Sequence, residues 1–204
     1  YGRAELAFVS GEGCWLATDD GSRYLDCASG IAVNTLGHSH PGLVAALREQ
    51  AGKSWHTSNL YRIPGQERVA AKLAALTGLD QVYFCNSGAE ANESAVKIAR
   101  RAMHERGEPD RMTILCATGS FHGRTLGMLA ATDKLANRTG FGPMPDGFEH
   151  VAFGNLNALR DRMGPHVAAV MIEPVQGEGG ARDAQDEYLA GVRAAADEFG
   201  ALVI

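Results

Sequence analysis

The segment NSGAEANE combines residue types that suit the binding of an anion. An apolar run stops just before it, and a helical pattern begins after Ser87. Gly88 lets a ligand approach the backbone, Ala89 adds little bulk, and the first N–H groups of a helix carry partial positive charge. Ser87 and Glu90 also have the spacing of a capping box, so a well-capped helix without a ligand explains the same residues. The phosphate-binding patterns GxxxxGKS/T and GxGxxG do not open this helix.

The segment SFHGRT follows a predicted strand and holds an aromatic ring, a glycine and an arginine close together. Phe121 could stack on a flat ring, and the planar fork of Arg124 matches the two oxygens of a carboxylate. The alternative is a loop in which Phe121 packs into the core and water surrounds Arg124. That alternative is favoured for this motif taken alone. His122 fits a base, a hydrogen-bond donor and a packed side chain equally well.

The segment EPVQGEGG comes directly after another predicted strand and holds two carboxylates, Glu173 and Glu178, among glycines. Because burial makes charge costly, each carboxylate is expected to have a partner. The alternative is a tight loop in which one acid caps the following helix. A metal pair is poorly supported, since no histidine lies close by in the sequence. The HxH of His38 and His40 fits turn and packing residues better than ligands.

The hydrophobic pattern predicts elements that would bring these motifs together. From Gln66 onward it predicts helices at 67–77, 89–106 and 186–199, and strands at QVYFC, MTILCA, VAAVMIE and ALVI. Short apolar strands separated by helices indicate βαβ units and a largely parallel, buried sheet. Ligands gather at the carboxyl ends of such strands, where the motifs lie. Earlier in the chain, alternating runs around Asp20–Gly21 predict a hairpin, and a helix begins near Pro41 and ends near Gly52.

Composition narrows the classes of function. The 204 residues are 45% hydrophobic and carry a net charge of −5, with no basic block that would indicate nucleic-acid binding. No signal-peptide pattern and no apolar run of the roughly 20 residues that span a bilayer is present. The cysteines are far apart without CxxC spacing, which favours free thiols in a cytoplasmic protein. Because the final ALVI is a predicted central strand with nothing after it, we expect the chain to be the front portion of a larger protein.

Taken together, the motifs resemble the class III aminotransferases, which are pyridoxal-phosphate enzymes of fold type I. The resemblance runs in order along essentially the whole chain, through GEGCWLATDDGSRYLDCASGIAVNTLGHSHP, NSGAEANESAVKIAR, SFHGRT and EPVQGEGG. Within that family, SGIAVNTLGHSHP and WHTSNLYRIPGQ look most like the acetylornithine and succinylornithine group. The resemblance implies an α/β fold with a mostly parallel central sheet flanked by helices. Residues 1–55 would belong to a smaller α+β domain, and residues 56–204 would form the front part of the large cofactor-binding domain.

The resemblance also implies roles for individual residues. Ser87, Gly88 and Ala89 would hold the cofactor phosphate, and Phe121 would stack on the pyridine ring, with Glu173 deeper and near the cofactor. Arg124 would bind the α-carboxylate of the substrate. Glu178 resembles a glutamate that in this family pairs with a distant arginine and swings when the second substrate binds. Gly30 would leave room for an acylated substrate.

Two residues that the family requires are not found in this chain. The Schiff-base lysine and the aspartate at the pyridine nitrogen are expected beyond Ile204, so this stretch alone should be inactive. The four lysines present all read as surface residues of helices or loops; they are Lys53, Lys72, Lys97 and Lys134.

The implied activity is transfer of the δ-amino group of N-acetylornithine to 2-oxoglutarate in arginine biosynthesis, by a cytoplasmic homodimer that uses pyridoxal phosphate and no metal. Another class III aminotransferase, acting on succinylornithine, ornithine or 4-aminobutyrate, or an aminomutase, is the nearest alternative. A non-catalytic module that binds a phosphate ligand is an alternative of a different class. Neither membrane nor nucleic acid is an expected partner.

Overall fold

The computed structural model describes residues 2–204, which divide into two compact units on either side of the Asp80–Gln81 bond. The predicted boundary at residue 55 concerns the domains of the whole fold and stays a prediction.

The amino-terminal unit begins with a three-stranded antiparallel sheet. Its strands, in sheet order, are β1 (Phe8–Glu12), β2 (Trp15–Thr18) and β3 (Arg23–Leu25). The predicted turn joins β2 to β3: Asp20 Oδ1 accepts from the Ser22 N–H at 3.0 Å, and Gly21 adopts a φ of +84°. Glycine takes this left-handed conformation without steric cost, so the hairpin closes where the Asp-Gly pair predicts.

Three helical elements complete this unit: α1 (Ser29–Ala32), α2 (Pro41–Ala51) and α3 (Pro64–Thr77). Helices α2 and α3 each begin with proline, whose fixed φ suits a first helical position, and each is followed by glycine. By contrast, α1 is a single left-handed turn in which even the β-branched Ile31 has a φ of +64°. His38 Nε2 lies 2.7 Å from Asp26 Oδ2, and so links the segment before α2 to the segment after β3. This contact fits the interpretation of His38 as a turn and packing residue.

The second unit is a parallel sheet with helices on both faces. The sheet order is β5-β4-β6-β9, and β7 and β8 form a separate antiparallel pair. Its strands are β4 (Thr113–Ala117), β5 (Phe148–Val151), β6 (Val167–Met171), β7 (Val175–Gln176), β8 (Arg182–Asp183) and β9 (Leu202–Val203). Its helices are α4 (Gly88–Glu105), α5 (Leu126–Ala131), α6 (Leu135–Arg138), α7 (Leu156–Arg162) and α8 (Asp186–Phe199).

Alternate residues of the central strands face two separate apolar cores. Leu115 of β4 and Val170 of β6 pack with residues of α7 and α8 on one face. Ile114 and Cys116 of β4 pack with Val96 and other residues of α4 and α5 on the opposite face. Burial on both faces explains why β4 and β6 are continuous apolar runs in the sequence.

One predicted strand of this unit is wrong, and one observed strand was not predicted. QVYFC was predicted as a strand, but residues 81–85 form none, because no strand of the described chain pairs with them. The sheet instead gains β5 at its edge, which the pattern did not predict because Glu149 and His150 interrupt the apolar run. Across residues 2–204, no helix combines the length and apolar character needed to cross a membrane.

Candidate functional site

The N-terminus of α4 presents two backbone N–H groups without a partner among residues 2–204. Ser87 is the N-cap, and its Oγ accepts from the Glu90 N–H at 3.2 Å. The Glu90 carboxylate turns back to accept from the Asn86 N–H at 2.7 Å. These bonds leave the N–H groups of Gly88 and Ala89 unpaired within the described chain. A Cβ built on Gly88 would meet no atom within 4 Å, so the helix end faces open space.

The SFHGRT loop packs directly against this helix end. Gly123 has a φ of +134°, and a Cβ at this position would lie 2.8 Å from the Ala89 Cβ and 3.1 Å from the Met128 Cβ. Such distances are shorter than van der Waals contact, so only glycine lets the loop come this close. The structure therefore brings the first two motifs together through main-chain packing.

The third motif joins the same loop through Glu173. The Phe121 N–H donates to Glu173 Oε2 at 3.1 Å. Burial raises the pKa of Glu173, and the bond from the Phe121 N–H opposes that rise because it favours the carboxylate. This contact follows from the sheet: the two loops follow β4 and β6, which are parallel neighbours. SFHGRT and EPVQGEGG thus lie at the carboxyl ends of strands, as predicted, whereas NSGAEANE does not follow a strand.

Gln176 links the segment that follows β6 to the segment that follows β4. Its side chain is fully buried, and its Nε2 donates to the Thr118 carbonyl at 3.0 Å. Its Oε1 has no hydrogen-bond partner among the described residues and lies 2.9 Å from where a Cβ on Gly179 would stand. Gln176 was not predicted from the sequence, where only the two carboxylates of EPVQGEGG were considered. A polar residue shortly after a buried strand was a signal for it.

His122 is a buried, neutral side chain. It is 4% exposed, and burial together with the nearby His150 lowers its pKa from 6.5 to about 4. Its backbone N–H donates to Thr132 Oγ1 at 2.9 Å, and its Nε2 has no partner in the described part of the chain. Of the three interpretations left open by the sequence, the packed side chain fits best.

The residues predicted for the substrate occupy different surroundings. Arg124 is exposed, and its guanidinium carbon lies 5.8 Å from the Phe121 ring centroid. Glu178 is exposed, with Oε2 3.7 Å from Lys134 Nζ. Gly30 belongs to the amino-terminal unit, where it has a φ of +64° in the left-handed turn α1. The predicted roles of these three residues stay predictions.

The lysines lie where the sequence predicts, since all four are exposed. Within residues 2–204, no group of three or more His, Cys, Asp or Glu side chains is placed to hold a metal ion.

Two further residues at this site escaped the sequence analysis. Asn92 Nδ2 donates to the His122 carbonyl at 2.8 Å, and Glu93 Oε1 accepts from Thr125 Oγ1 at 2.5 Å. Both follow Ala89 by about one helical turn and so lie on the face that meets the loop. That spacing was a signal, but the partners lie about thirty residues away along the chain.

The chain is similar to known aminotransferases along its described length. Residues 2–204 match the family model for class-III aminotransferases. The acetylornithine aminotransferase of Rhodobacter capsulatus is 53% identical over all of this chain and 52% of its own length. The corresponding protein of Mesorhizobium japonicum is 52% identical over all of this chain and 51% of its own length. The chain thus spans about half the length of the curated relatives it matches.

Solved structures agree with the sequence relatives. The N-acetylornithine aminotransferase from Stenotrophomonas maltophilia superposes with a TM-score of 0.83 at 37% identity, over 98% of this chain and 50% of that one. The ornithine aminotransferase from Toxoplasma gondii, which has PLP at partial occupancy in its active site, superposes with a TM-score of 0.92 at 30% identity. This match covers 98% of this chain and 48% of the other. These matches confirm the predicted fold type. The chain belongs to the class-III aminotransferase family.

Proposed function

We propose that these 204 residues are part of a pyridoxal-phosphate-dependent aminotransferase that moves the δ-amino group of N-acetylornithine to 2-oxoglutarate. The observation that carries the proposal is the helix end at Gly88, where two unpaired N–H groups and open space lie beside the Phe121 loop. Relatives of about 50% identity named acetylornithine aminotransferase support the substrate. The carboxylate of that substrate would have Arg124 as its partner.

The residues at this helix end fit a phosphate group. The N–H groups of Gly88 and Ala89 would donate to its oxygens, and the positive end of the α4 dipole would favour its charge. The Ser87 Oγ already accepts from Glu90, so its own proton is available to donate to a third oxygen. Glu90 Oε2 accepts from both the backbone N–H and the side-chain amide of Asn86, and these donors partly offset its negative charge.

Phe121 and Glu173 would orient the ring of the cofactor. The Phe121 ring is half-buried, and its backbone N–H is fixed by Glu173. A flat ring stacked on Phe121 would therefore meet a surface whose position is set by the neighbouring strand. Once bound, the cofactor supplies the electron sink of the reaction. The lysine and the aspartate that the family requires are proposed to lie beyond Ile204.

The substrate residues would act by charge and by space. Arg124 would pair with the α-carboxylate through its planar fork, and Glu178 would change partners between the two substrates. Gly30 would leave room for the acyl group.

We further propose that the whole protein is a cytoplasmic homodimer. The segment WHTSNLYRIPGQ carries large apolar side chains at exposed positions, with Trp55 and Leu60 each 86% exposed and Tyr61 69% exposed. Residues of these types are typical anchors of protein interfaces. Sedimentation of the full-length protein tests the dimer, and a stable, active monomer would exclude it.

The test of the activity uses the protein extended to the length of its relatives, called the full-length protein below. Incubation with pyridoxal phosphate should give a visible absorption band that borohydride removes. Rapid amino transfer from N-acetylornithine to 2-oxoglutarate should follow, slower from ornithine, succinylornithine and 4-aminobutyrate. Protein that stays colourless excludes the proposal. Cofactor binding without a lysine adduct indicates the non-catalytic module, and preference for another amine indicates a sister enzyme.

A further inference from the structure

Two adjacent side chains of α4 hold the SFHGRT loop from opposite sides of Gly123. Asn92 Nδ2 donates to the carbonyl of His122, which precedes this glycine, at 2.8 Å. Glu93 Oε1 accepts from the hydroxyl of Thr125, which lies two residues after it, at 2.5 Å. Charge-assisted bonds from a hydroxyl to a carboxylate have this short length and are among the stronger hydrogen bonds.

Glycines stand where side chains would obstruct these contacts, one in the loop and one in the first turn of α5. A Cβ on Gly127 of α5 would lie 2.7 Å from one carboxylate oxygen of Glu93 and 3.0 Å from the other. A Cβ on Gly123 of the loop would lie 2.8 Å from the Cβ of Ala89. A side chain at Gly127 would therefore displace the Glu93 carboxylate, and one at Gly123 would push the loop away from α4.

Glu93 also controls how the next helix begins. Thr125 is the N-cap of α5, and its Oγ1 accepts from the Met128 N–H at 3.3 Å. Because Glu93 takes the proton of the same hydroxyl, the lone pairs of the oxygen are left for Met128. The hydroxyl of Thr125 is thus held from the α4 side and the α5 side, directly beside Arg124 in the sequence.

We propose that Asn92 and Glu93 are positioning residues that set Phe121 and Arg124 relative to the N-terminus of α4. We name the two side chains the α4 clasp. This inference rests on the proposed function, because it assigns Phe121 to the cofactor ring and Arg124 to the substrate carboxylate. The clasp would set the position of Arg124 relative to the residues that would hold the cofactor phosphate, so loosening it should weaken substrate binding more than the chemical step.

The first experiment measures the clasp without any cofactor. Hydrogen exchange of the Met128 amide is followed by NMR in the full-length protein and in the Glu93→Gln, Thr125→Val and Thr125→Ser variants. The matched control is Glu105→Gln on the same helix, where the carboxylate pairs with the exposed Arg101. We expect about tenfold faster exchange in Glu93→Gln and Thr125→Val, and less than about twofold change in Thr125→Ser and the control. Equal exchange in all variants overturns the clasp.

The second experiment separates positioning from general support of the fold. N-acetylornithine is compared with N-acetylputrescine, the same amine without the α-carboxylate. In Glu93→Gln we expect KM for N-acetylornithine to rise about tenfold with kcat nearly unchanged, since small displacements of a binding group carry large penalties. KM for N-acetylputrescine should change less than about twofold, and Thr125→Ser should behave as wild type.

Each outcome of the kinetic comparison has a defined meaning. Equal losses for the two amines, or a loss in kcat alone, overturn the positioning role and leave a structural one. If the wild-type full-length protein transfers neither amine, the proposed function fails and the positioning role fails with it. The exchange of the Met128 amide then still decides whether the clasp exists, so the two failures are distinguishable.

Discussion

Replacing Gly123 by alanine tests the contact between the loop and α4 on which the site depends. The φ of +134° at this position is one that L-residues rarely adopt, so any side chain introduces backbone strain. The new methyl group would also lie 2.8 Å from the Cβ and 3.1 Å from the Cα of Ala89. Because these atoms are backbone or directly attached to it, they cannot rotate away, and the loop itself must move.

The expected loss combines two costs of known size. A residue held at positive φ costs roughly 1–2 kcal/mol, and overpacking a well-filled contact costs a further 1–3 kcal/mol. The free energy of unfolding should therefore fall by about 2–5 kcal/mol in Gly123→Ala. Gly107→Ala is the matched control, since Gly107 has a φ of +81° but a Cβ there would meet no atom within 4 Å. It should lose only the roughly 1–2 kcal/mol of strain.

The assay is urea denaturation of the full-length protein without cofactor, followed by circular dichroism for wild type and both variants. Both changes are glycine to alanine, so the effect on the unfolded chain cancels and the difference isolates the overpacking. Pyridoxal phosphate is then titrated into each folded variant, and Gly123→Ala alone should lose affinity. Equal unfolding free energies in the two variants, to within about 0.5 kcal/mol, would refute the packing of the loop on α4.

Three more predictions test other parts of the site. Gly88→Ala should leave the unfolding free energy unchanged or higher, because the Cβ has open space, yet it should weaken cofactor binding by filling that space; unchanged affinity in a titration would place the phosphate elsewhere. Arg124→Lys keeps the charge but loses the bidentate geometry. The activation free energy derived from kcat/KM for N-acetylornithine should rise by about 2 kcal/mol, the lower end of the range for a broken buried charge pair, with little change for N-acetylputrescine. Equal losses for the two amines would remove Arg124 from the substrate site. Burial lowers the pKa of His122 from 6.5 to about 4, so between these values the unfolded chain binds a proton that the folded chain does not. The stability that the neutral His122 provides is therefore complete above pH 6.5 and falls by roughly 3 kcal/mol toward pH 4. This slope should flatten in His122→Asn, and identical pH profiles of urea denaturation would exclude the effect.

Local signals in the sequence were enough to predict most of the helices. The prediction of a helix at 186–199 matches α8, and the Ser87–Glu90 spacing matches the cap of α4. Both depend on contacts within one or two turns, which residue type and spacing encode directly. The helix near Pro41 and the Asp20–Gly21 turn were predicted for the same reason.

Pairing between strands was less accessible, because it depends on partners far away in the chain. The run at residues 81–85 is as apolar as a buried strand, but a strand exists only if another pairs with it. Conversely, β5 carries Glu149 and His150 and is recognisable as a strand only through its ladder with β4. The same reasoning explains why Asn92 and Gln176 were not predicted, since their partners belong to loops after other elements.

The glycines of the site are of two kinds, which differ in whether an added Cβ would collide with the protein. At Gly123 and Gly179 an added Cβ would collide with the protein itself, with Ala89 in the first case and with the Gly119 carbonyl, 2.8 Å away, in the second. These glycines let loops pack tightly, so the site is made rigid by its main chain. At Gly88 the added Cβ would meet nothing, although the N–H groups there have no partner among residues 2–204. Under the proposed function, the phosphate of the cofactor would occupy this space and accept from these N–H groups.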